Sequence, residues 1–368
     1  MDTPRTARDR TSARTTPTGA SRLKGLGKAA AVLAALVALE RTLATADFAR
    51  VGRLVAQQGG WVALGLLPYV VAVGFDALGW RTFLRAGGVR EARAWWLART
   101  RLRIDSFGAT LPGGTLVAES IAPTWLRRWI PLEAAVAAIA ARKCFVGLAE
   151  AAYVFASFAV GFRLLQARAA VLPWVVFGGA VALLGLFGGT TVALASGATA
   201  ARVHAWLASL PIPALRRWLD ARAHGFSSTD ERLAALFRSE PRRLWGAGAL
   251  FVASWCMESF ETWLLLRLVG VALPFPTVFA FEASVSLLRS LACFAPGGLG
   301  VQDLGYVATL GALGVPDAVN AGAAFVLLKR AKDLFWAAIG YATLYHRAQR
   351  PKAARPARME APAPEATW

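Results

Sequence analysis

The sequence predicts an all-α, polytopic membrane protein built from two repeats of inverted topology. Three observations support this prediction. Of the 368 residues, 56% are hydrophobic and 14 are Trp, which is more apolar than a soluble domain of this length. Several apolar stretches reach the roughly 20 residues that a helix needs to cross a bilayer. The tripeptide Pro-Gly-Gly also occurs twice within apolar sequence, once in each half of the chain.

The net charge of +19 is concentrated in the segments between the apolar stretches. In a membrane protein such charge marks cytoplasmic loops and attracts anionic lipid headgroups, so we do not expect nucleic acid as a partner. The three cysteines, at 144, 256 and 293, are widely spaced and have no neighbouring His, which favours neither a disulfide framework nor a metal site. We expect no cofactor, and no enzyme either, because no nucleophile elbow, P-loop or metalloprotease motif is present.

The first membrane half covers residues 23–199 and follows a polar, basic segment, 1–22, which predicts a disordered cytoplasmic tail. Apolar stretches in this half predict helices over 23–46, 61–84, 131–162 and 171–195. The arginines between 81 and 103 predict a cytoplasmic segment, because positive charge accumulates on the inner side of the membrane.

Residues 200–243 are basic and amphipathic, which predicts a cytoplasmic linker on the membrane surface. The second membrane half, 244–346, contains helices predicted over 244–269 and 317–345, joined through an uncharged connection expected outside. The basic tail, 347–368, must then be cytoplasmic, as is the N-terminus. These charges predict a multi-pass protein of the plasma (inner) membrane.

Each half contains one apolar segment broken by Pro-Gly-Gly. The first break consists of Pro112, Gly113 and Gly114, and the second of Pro296, Gly297 and Gly298. Charge counting makes the first segment, 104–122, begin and end in the cytoplasm, and the second, 278–314, begin and end outside. A re-entrant hairpin would begin and end on the same side of the membrane, and two short crossings would do so equally. The opposite orientations predict an inverted repeat.

The spacing around the two breaks is also repeated. Trp61 precedes Pro112 by the same interval that separates Trp245 from Pro296, and an acid, Glu119 or Asp303, follows each proline after seven residues.

Pro-Gly-Gly at membrane depth unwinds the helix, since Pro lacks an N–H group and Gly is a poor helix former. The freed amides and carbonyls favour anions and cations respectively, so a phosphate-bearing headgroup would fit such a site. The alternative is a kink that serves packing alone. Glu119 and Asp303 are candidate partners of the broken helices, or gating carboxylates.

Many ionisable residues lie inside the predicted spans, where each would cost about 2.5–3.5 kcal/mol if it faced lipid. They must therefore face inward or form ion pairs. Helical spacing predicts three such pairs: Lys143 with Glu150, Glu282 with Arg289, and Lys329 with Asp333. Purely structural ion pairs between helices remain an alternative to function.

Two basic doublets stand about thirty residues after the breaks: Arg142 with Lys143, and Lys329 with Arg330. Together with the two breaks they predict a cationic cavity in which these four side chains contact a lipid phosphate. The candidate polar pathway comprises Glu119, Asp303, Glu258, Glu261, Glu282 and Arg289. Glu258 and Glu261 could carry protons in a coupled transporter or could neutralise Arg267.

With these motifs identified, the chain resembles the flippase-like integral membrane family that includes the transmembrane region of lysylphosphatidylglycerol synthases. The resemblance rests on Gly297-Gly298-Leu299-Gly300-Val301 with an acid at 303, on Leu313-Gly314-Val315 and on Lys329-Arg330. In the first half it rests on Leu111-Pro112-Gly113-Gly114. Asp303 stands where the family typically has Glu, and Ala141 replaces the Glu that often precedes the arginine at 142.

The resemblance implies translocation of an amphiphilic lipid between leaflets, and the charges favour an anionic lipid or a lipid-linked saccharide. We expect no soluble aminoacyl-transfer domain, because only a short tail follows the last helix. Two alternatives remain. The first is a non-transporting partner or scaffold of a lipid or polysaccharide biosynthesis enzyme, and the second is a membrane enzyme that acts on a polyprenyl-linked substrate.

Overall fold

The structure is a computed structural model. It describes Val37, Glu40 and residues 47–345, apart from 87, 90, 128, 169–171, 222, 239–240 and 292–294. The predicted tails over 1–22 and 347–368, the cysteine at 293 and, apart from Val37 and Glu40, the helix predicted over 23–46 lie outside the described residues.

The part of the chain that the structure describes is helical and contains no strand, which confirms the all-α class. The helices are α1 (Phe48–Gln57), α2 (Leu67–Ala86), α3 (Ala94–Thr110), α4 (Gly114–Leu126), α5 (Leu132–Arg168), α6 (Leu172–Ala195), α7 (Thr199–Ala208), α8 (Pro213–Asp220), α9 (Ala223–Phe237), α10 (Pro241–Leu268), α11 (Phe275–Leu291), α12 (Val301–Ala312) and α13 (Ala318–Tyr345). A 3₁₀ helix, Gly59–Leu66, leads directly into α2.

Four of these helical stretches are long and apolar enough to cross a membrane. They are Gly59–Ala86, Leu132–Arg163, Pro173–Ala195 and Arg242–Leu268, close to the spans predicted over 61–84, 131–162, 171–195 and 244–269. Helix α13 has sufficient length, with 28 residues, but charged residues interrupt its centre. The protein is therefore a polytopic helical membrane protein. Its last helix differs from the other long helices because charged residues occupy its centre.

Both Pro-Gly-Gly sequences form turns between helices, and glycine makes each turn possible. The first turn separates α3 from α4, with Gly113 at a φ of 62°. The second separates α11 from α12, with Gly297 at 54° and Gly298 at 68°. These left-handed conformations strain any residue that has a Cβ.

The two turns lie next to each other, although 184 positions separate their prolines. A Cβ added at Gly297 would lie 3.5 Å from the Cα of Ala109, one residue before the end of α3. The halves are interleaved around this contact, since α2 packs along α10 and α3 packs along α13. They consequently share one helical body and do not form two separate ones.

The linker between the halves is only partly a surface element. Helix α9 buries Leu233 and Leu236 in a core cluster with α5 and α10, and the Asp230 carboxylate accepts the N–H groups of the first turn of α7. The exposed side chains of Trp206 and Ile212 fit the predicted contact with the membrane surface. Arg242 and Arg243, predicted in the linker, belong to the first turn of α10.

The start of α3 differs from the sequence prediction. Its N-terminal half includes part of the basic segment expected in the cytoplasm, and Arg103 is buried. The guanidinium of Arg103 donates to the hydroxyl and the carbonyl of Thr343 on α13. This arginine therefore joins two helices, and the side of the membrane on which it lies stays a prediction.

The inverted orientation of the two broken segments stays a prediction, and single cysteines introduced into a background without native cysteines test it. Glu91→Cys and Leu132→Cys flank the first broken pair, and Ala272→Cys and Pro316→Cys flank the second. We expect the first two to react with an impermeant maleimide only from the cytoplasm and the last two only from outside. Labelling of all four from one side would contradict the inverted repeat.

The close packing of α13 on α3 depends on Gly340. A Cβ at this position would lie 2.6 Å from the carbonyl oxygen of Leu102. We expect Gly340→Ala to lower the free energy of unfolding by about 1–3 kcal/mol, because the closely packed backbone cannot move apart at low energetic cost. The melting temperature of the purified protein measures this effect. Gly178→Ala on exposed α6, where nothing lies within 4 Å, is the control and should not lower the melting temperature, because Ala favours a helix over Gly.

Candidate functional site

A cavity of about 360 Å³ lies where the two breaks meet. Its wall includes Gly114 and Thr115 from the first turn and Gly297 and Gly298 from the second. It also includes side chains of α2, α3, α5, α10, α11 and α13. Each half of the sequence thus supplies part of one site.

Charged side chains of both signs line this cavity. The cations are Arg101, Arg142, Lys143, Arg289, Lys329 and Lys332, and the carboxylates are Asp76, Asp105, Glu119, Glu150, Glu258, Glu261 and Asp333. The prediction of a cationic cavity is therefore wrong. The basic doublets are contiguous in the sequence, whereas the acids of the cavity wall are dispersed over six helices.

Arg330 holds the second break to α13. Its Nε and Nη2 atoms donate to Asp303 Oδ1 at 2.9 and 2.6 Å, and its Nη1 donates to the carbonyl oxygen of Gly297 at 2.9 Å. Asp303 Oδ2 accepts the N–H of Gly300 at 3.1 Å. The acid seven residues after the proline thus satisfies a freed amide of the turn, and the arginine satisfies a freed carbonyl.

Arg142 is buried among partners in the first half. Its Nε and Nη2 atoms donate to the two carboxylate oxygens of Asp76 at 2.8 and 2.6 Å, and its guanidinium lies 5.2 Å from the ring centre of Trp80. Lys143 pairs with Glu119 at 3.1 Å and keeps 43% of its side chain exposed. Of the four residues predicted to contact a headgroup, Lys143 is the most accessible.

The two halves share one pairing pattern. In each, a cation of the long helix that follows the break pairs with the acid seven residues after the proline: Lys143 with Glu119, and Arg330 with Asp303. Asp303 also contacts its own break, where it accepts the N–H of Gly300. The described contacts of Glu119 go to cations of α5 and not to its turn.

Lys329 and Lys332 form a second buried cluster with acids from neighbouring helices. Lys329 Nζ donates to Thr262 Oγ1 at 2.9 Å and to Glu282 Oε1 at 3.2 Å. Lys332 Nζ donates to Glu261 Oε1 at 2.7 Å. Both lysines are therefore positioned by the protein and already neutralised.

The three ion pairs predicted along single helices are wrong. Lys143 pairs with Glu119 and not with Glu150, Lys329 pairs with Glu282, Arg289 pairs with Glu258 at 2.8 Å, and Asp333 pairs with Arg330 and Lys332. Residues seven apart are about 10 Å apart along a helix axis, farther than a partner on an adjacent helix. Glu258 and Glu261, the predicted proton carriers, are both held by cations, and Arg267 lies over the ring of Trp263.

Sequence reasoning missed Tyr69, Arg101 and Asp105. Arg101 pairs with Asp105 at 3.0 Å, and the Tyr69 hydroxyl donates to the same carboxylate at 2.8 Å. The Lys332 ammonium lies 5.5 Å from the Tyr69 ring centre, so this tyrosine joins the charge clusters of the two halves. The spacing of Arg101 and Asp105 on one helix face was a signal that could have found the pair.

The sequence matches the model of the family described as Lysylphosphatidylglycerol synthase TM region over residues 27–340. The chain belongs to this family. No curated protein matches it. The matched range includes both breaks and every cavity residue named above, so the resemblance drawn from the second break is confirmed for the whole membrane region. Family membership establishes a membrane protein of the lysylphosphatidylglycerol synthase type.

Arg330→Ala tests whether the second break depends on its ion pair. Removal of the guanidinium leaves Asp303 buried without its main partner, and breaking such a pair costs about 3–5 kcal/mol. We expect a matching fall in the melting temperature of the purified protein, partly recovered in the double variant Arg330→Ala/Asp303→Asn. The control is Arg163→Ala on the exposed surface of α5, which should change stability by less than about 0.5 kcal/mol. Equal effects of both single variants would contradict this role.

Proposed function

We propose that this protein translocates an anionic lipid, or a lipid-linked saccharide, between the leaflets of the membrane. The observation that carries the proposal is the charged cavity at the meeting point of the two helix breaks. In this scheme the headgroup passes through the cavity while the acyl chains remain in the lipid.

The size and lining of the cavity support passage of a headgroup. Its volume of about 360 Å³ is near the lower end of the range for small-molecule sites, roughly 300–1,000 Å³, and is too small for a whole lipid. A charged headgroup in hydrocarbon loses its hydration, and a wall of paired charges and freed backbone groups replaces it. Membrane proteins tolerate such backbone only where it is buried or lines a wet cavity.

Lys143 is the cation that best fits a first contact with a phosphate. Its side chain is the most exposed of the paired cations in the cavity, and its one described partner is Glu119. Arg289 and Arg101 are next, with 28% and 26% of their side chains exposed. Arg142, Lys329 and Arg330 are better described as positioning residues, because several hydrogen bonds occupy each of them.

The arrangement also supports movement through the site by exchange of partners. Each cation of the wall has an acid beside it, so a phosphate can replace a carboxylate at one cation and be replaced in turn. The predicted inverted repeat would open the two breaks to opposite sides in an alternating-access cycle. No assembled nucleophile and base is part of this scheme, so we propose transport in preference to catalysis.

A lipid-exchange assay tests the proposal. Purified protein in phosphatidylcholine vesicles with fluorescent phosphatidylglycerol should expose inner-leaflet label to added dithionite. We expect Lys143→Gln to slow the exchange by at least about tenfold, because a charged hydrogen bond to the phosphate contributes about 1.5 kcal/mol or more. Lys143→Arg should retain most of the rate, and Arg163→Gln on the outer face of α5 should match the parent.

One result would overturn the proposal, and a second would change its site. The first is a parent protein that exchanges the labelled lipid no faster than empty vesicles. The second is a Lys143→Gln variant with the same rate as the parent, which would remove Lys143 from the headgroup path. Melting temperatures of the variants separate a lost contact from a misfolded protein.

A further inference from the structure

Glu150 differs from every other carboxylate on the cavity wall. The acids at 76, 105, 119, 258, 261 and 333 each pair with Lys or Arg. Glu150 lies in the middle of α5, is 6% exposed and lines the cavity, yet it forms no salt bridge among the described residues. Its described partner is neutral: Ser290 Oγ donates to Glu150 Oε1 at 2.7 Å.

The charged groups that face Glu150 are already engaged. Lys143, two turns earlier on α5, pairs with Glu119. Arg289, next to Ser290 on α11, pairs with Glu258 on α10 at 2.8 Å. Glu258 itself is a nearby negative charge. The surroundings of Glu150 therefore supply one hydroxyl donor and no cation of its own.

Glu150 is therefore the acid of the described cavity wall that can gain or lose a proton without breaking a described salt bridge. A cavity that admits solvent still gives protons a route to the group. Carboxylates in such positions form the proton relays of membrane pumps and transporters.

The protonation state of Glu150 can also influence the second break, through Arg289. An ionised Glu150 would compete with Glu258 for the Arg289 guanidinium, because both carboxylates lie within electrostatic reach of that guanidinium. Arg289 in turn packs against the second turn, because a Cβ added at Gly298 would lie 3.5 Å from its Cγ. Loss of the proton would thus change the partner of a residue that supports the break.

We propose that Glu150 is a proton-binding site that couples lipid movement to proton flow. This inference rests on the proposed lipid translocation. The proton adds to Glu150 from water on one side of the membrane and leaves to water on the other, so that one proton moves per lipid and no other reactant is consumed. Arg289 changes partner between Glu258 and Glu150 in the two states.

The test uses the full-length protein in vesicles that contain fluorescent phosphatidylglycerol in both leaflets, with the membrane potential clamped by valinomycin and potassium. A pH difference of one unit should drive an asymmetry between leaflets of up to tenfold, the equivalent of one proton per lipid. We expect Glu150→Gln, which retains a hydrogen-bond acceptor for Ser290, to show no asymmetry. Glu133→Gln at the start of α5, outside the cavity wall, is the matched control and should behave as the parent.

The outcomes separate coupling from transport. A parent protein that exchanges lipid but shows no asymmetry in the gradient would overturn the coupling and leave the proposed function intact. An asymmetry retained in Glu150→Gln would overturn the role of this residue.

If the parent moves no lipid, the proposed function fails. Infrared spectroscopy then tests separately whether Glu150 binds a proton. We then expect a protonated-carboxyl band near neutral pH that is lost in Glu150→Gln and kept in Glu133→Gln. A spectrum of Glu150→Gln identical to that of the parent would overturn the site.

Discussion

The constraint on which this structure depends is that neither an open backbone group nor a charge can face hydrocarbon unpaired. Arg330 resolves both problems at one point, because its guanidinium binds the freed carbonyl of Gly297 and the carboxylate of Asp303 together. Helix α13 brings that guanidinium to the Pro-Gly-Gly turn and so satisfies the freed carbonyl of the turn. The charged centre of α13 is therefore a requirement of the fold as well as a property of the cavity.

The halves satisfy their charges separately and meet through other contacts. Glu261 and Glu282 pair with lysines of α13 inside the second half, whereas the turn at Gly297 rests against the end of α3 and Ser290 donates to Glu150 across the halves. Packing α2 on α10 and α13 on α3 places the two sets of charges around one cavity. Tyr69 then joins them, with its hydroxyl on one cluster and its ring under the ammonium of Lys332.

Local features of the sequence predicted the long helices and the breaks well, because apolar length and Pro-Gly-Gly determine them regardless of tertiary context. The partners of the charges could not be predicted in this way. Spacing along α5 suggested Lys143 with Glu150, whereas the actual acid, Glu119, comes from an adjacent helix whose orientation the sequence does not encode locally. The acceptors of Arg103 could not be predicted for a similar reason, since they lie 240 residues away on α13.

A wall in which nearly every charge has a partner has a consequence for transport. A strongly cationic pocket would bind a phosphate tightly and release it slowly, whereas conduction requires binding that is favourable enough to enter and weak enough to leave. At a paired cation a phosphate only replaces a carboxylate, so the net change in interaction is small at each step. In the proposed cycle this balance also makes Glu150 influential, because the gain or loss of its single proton would change which pairs around Arg289 are satisfied. Mixed charge is thus better suited to passage than the cationic site expected from the doublets.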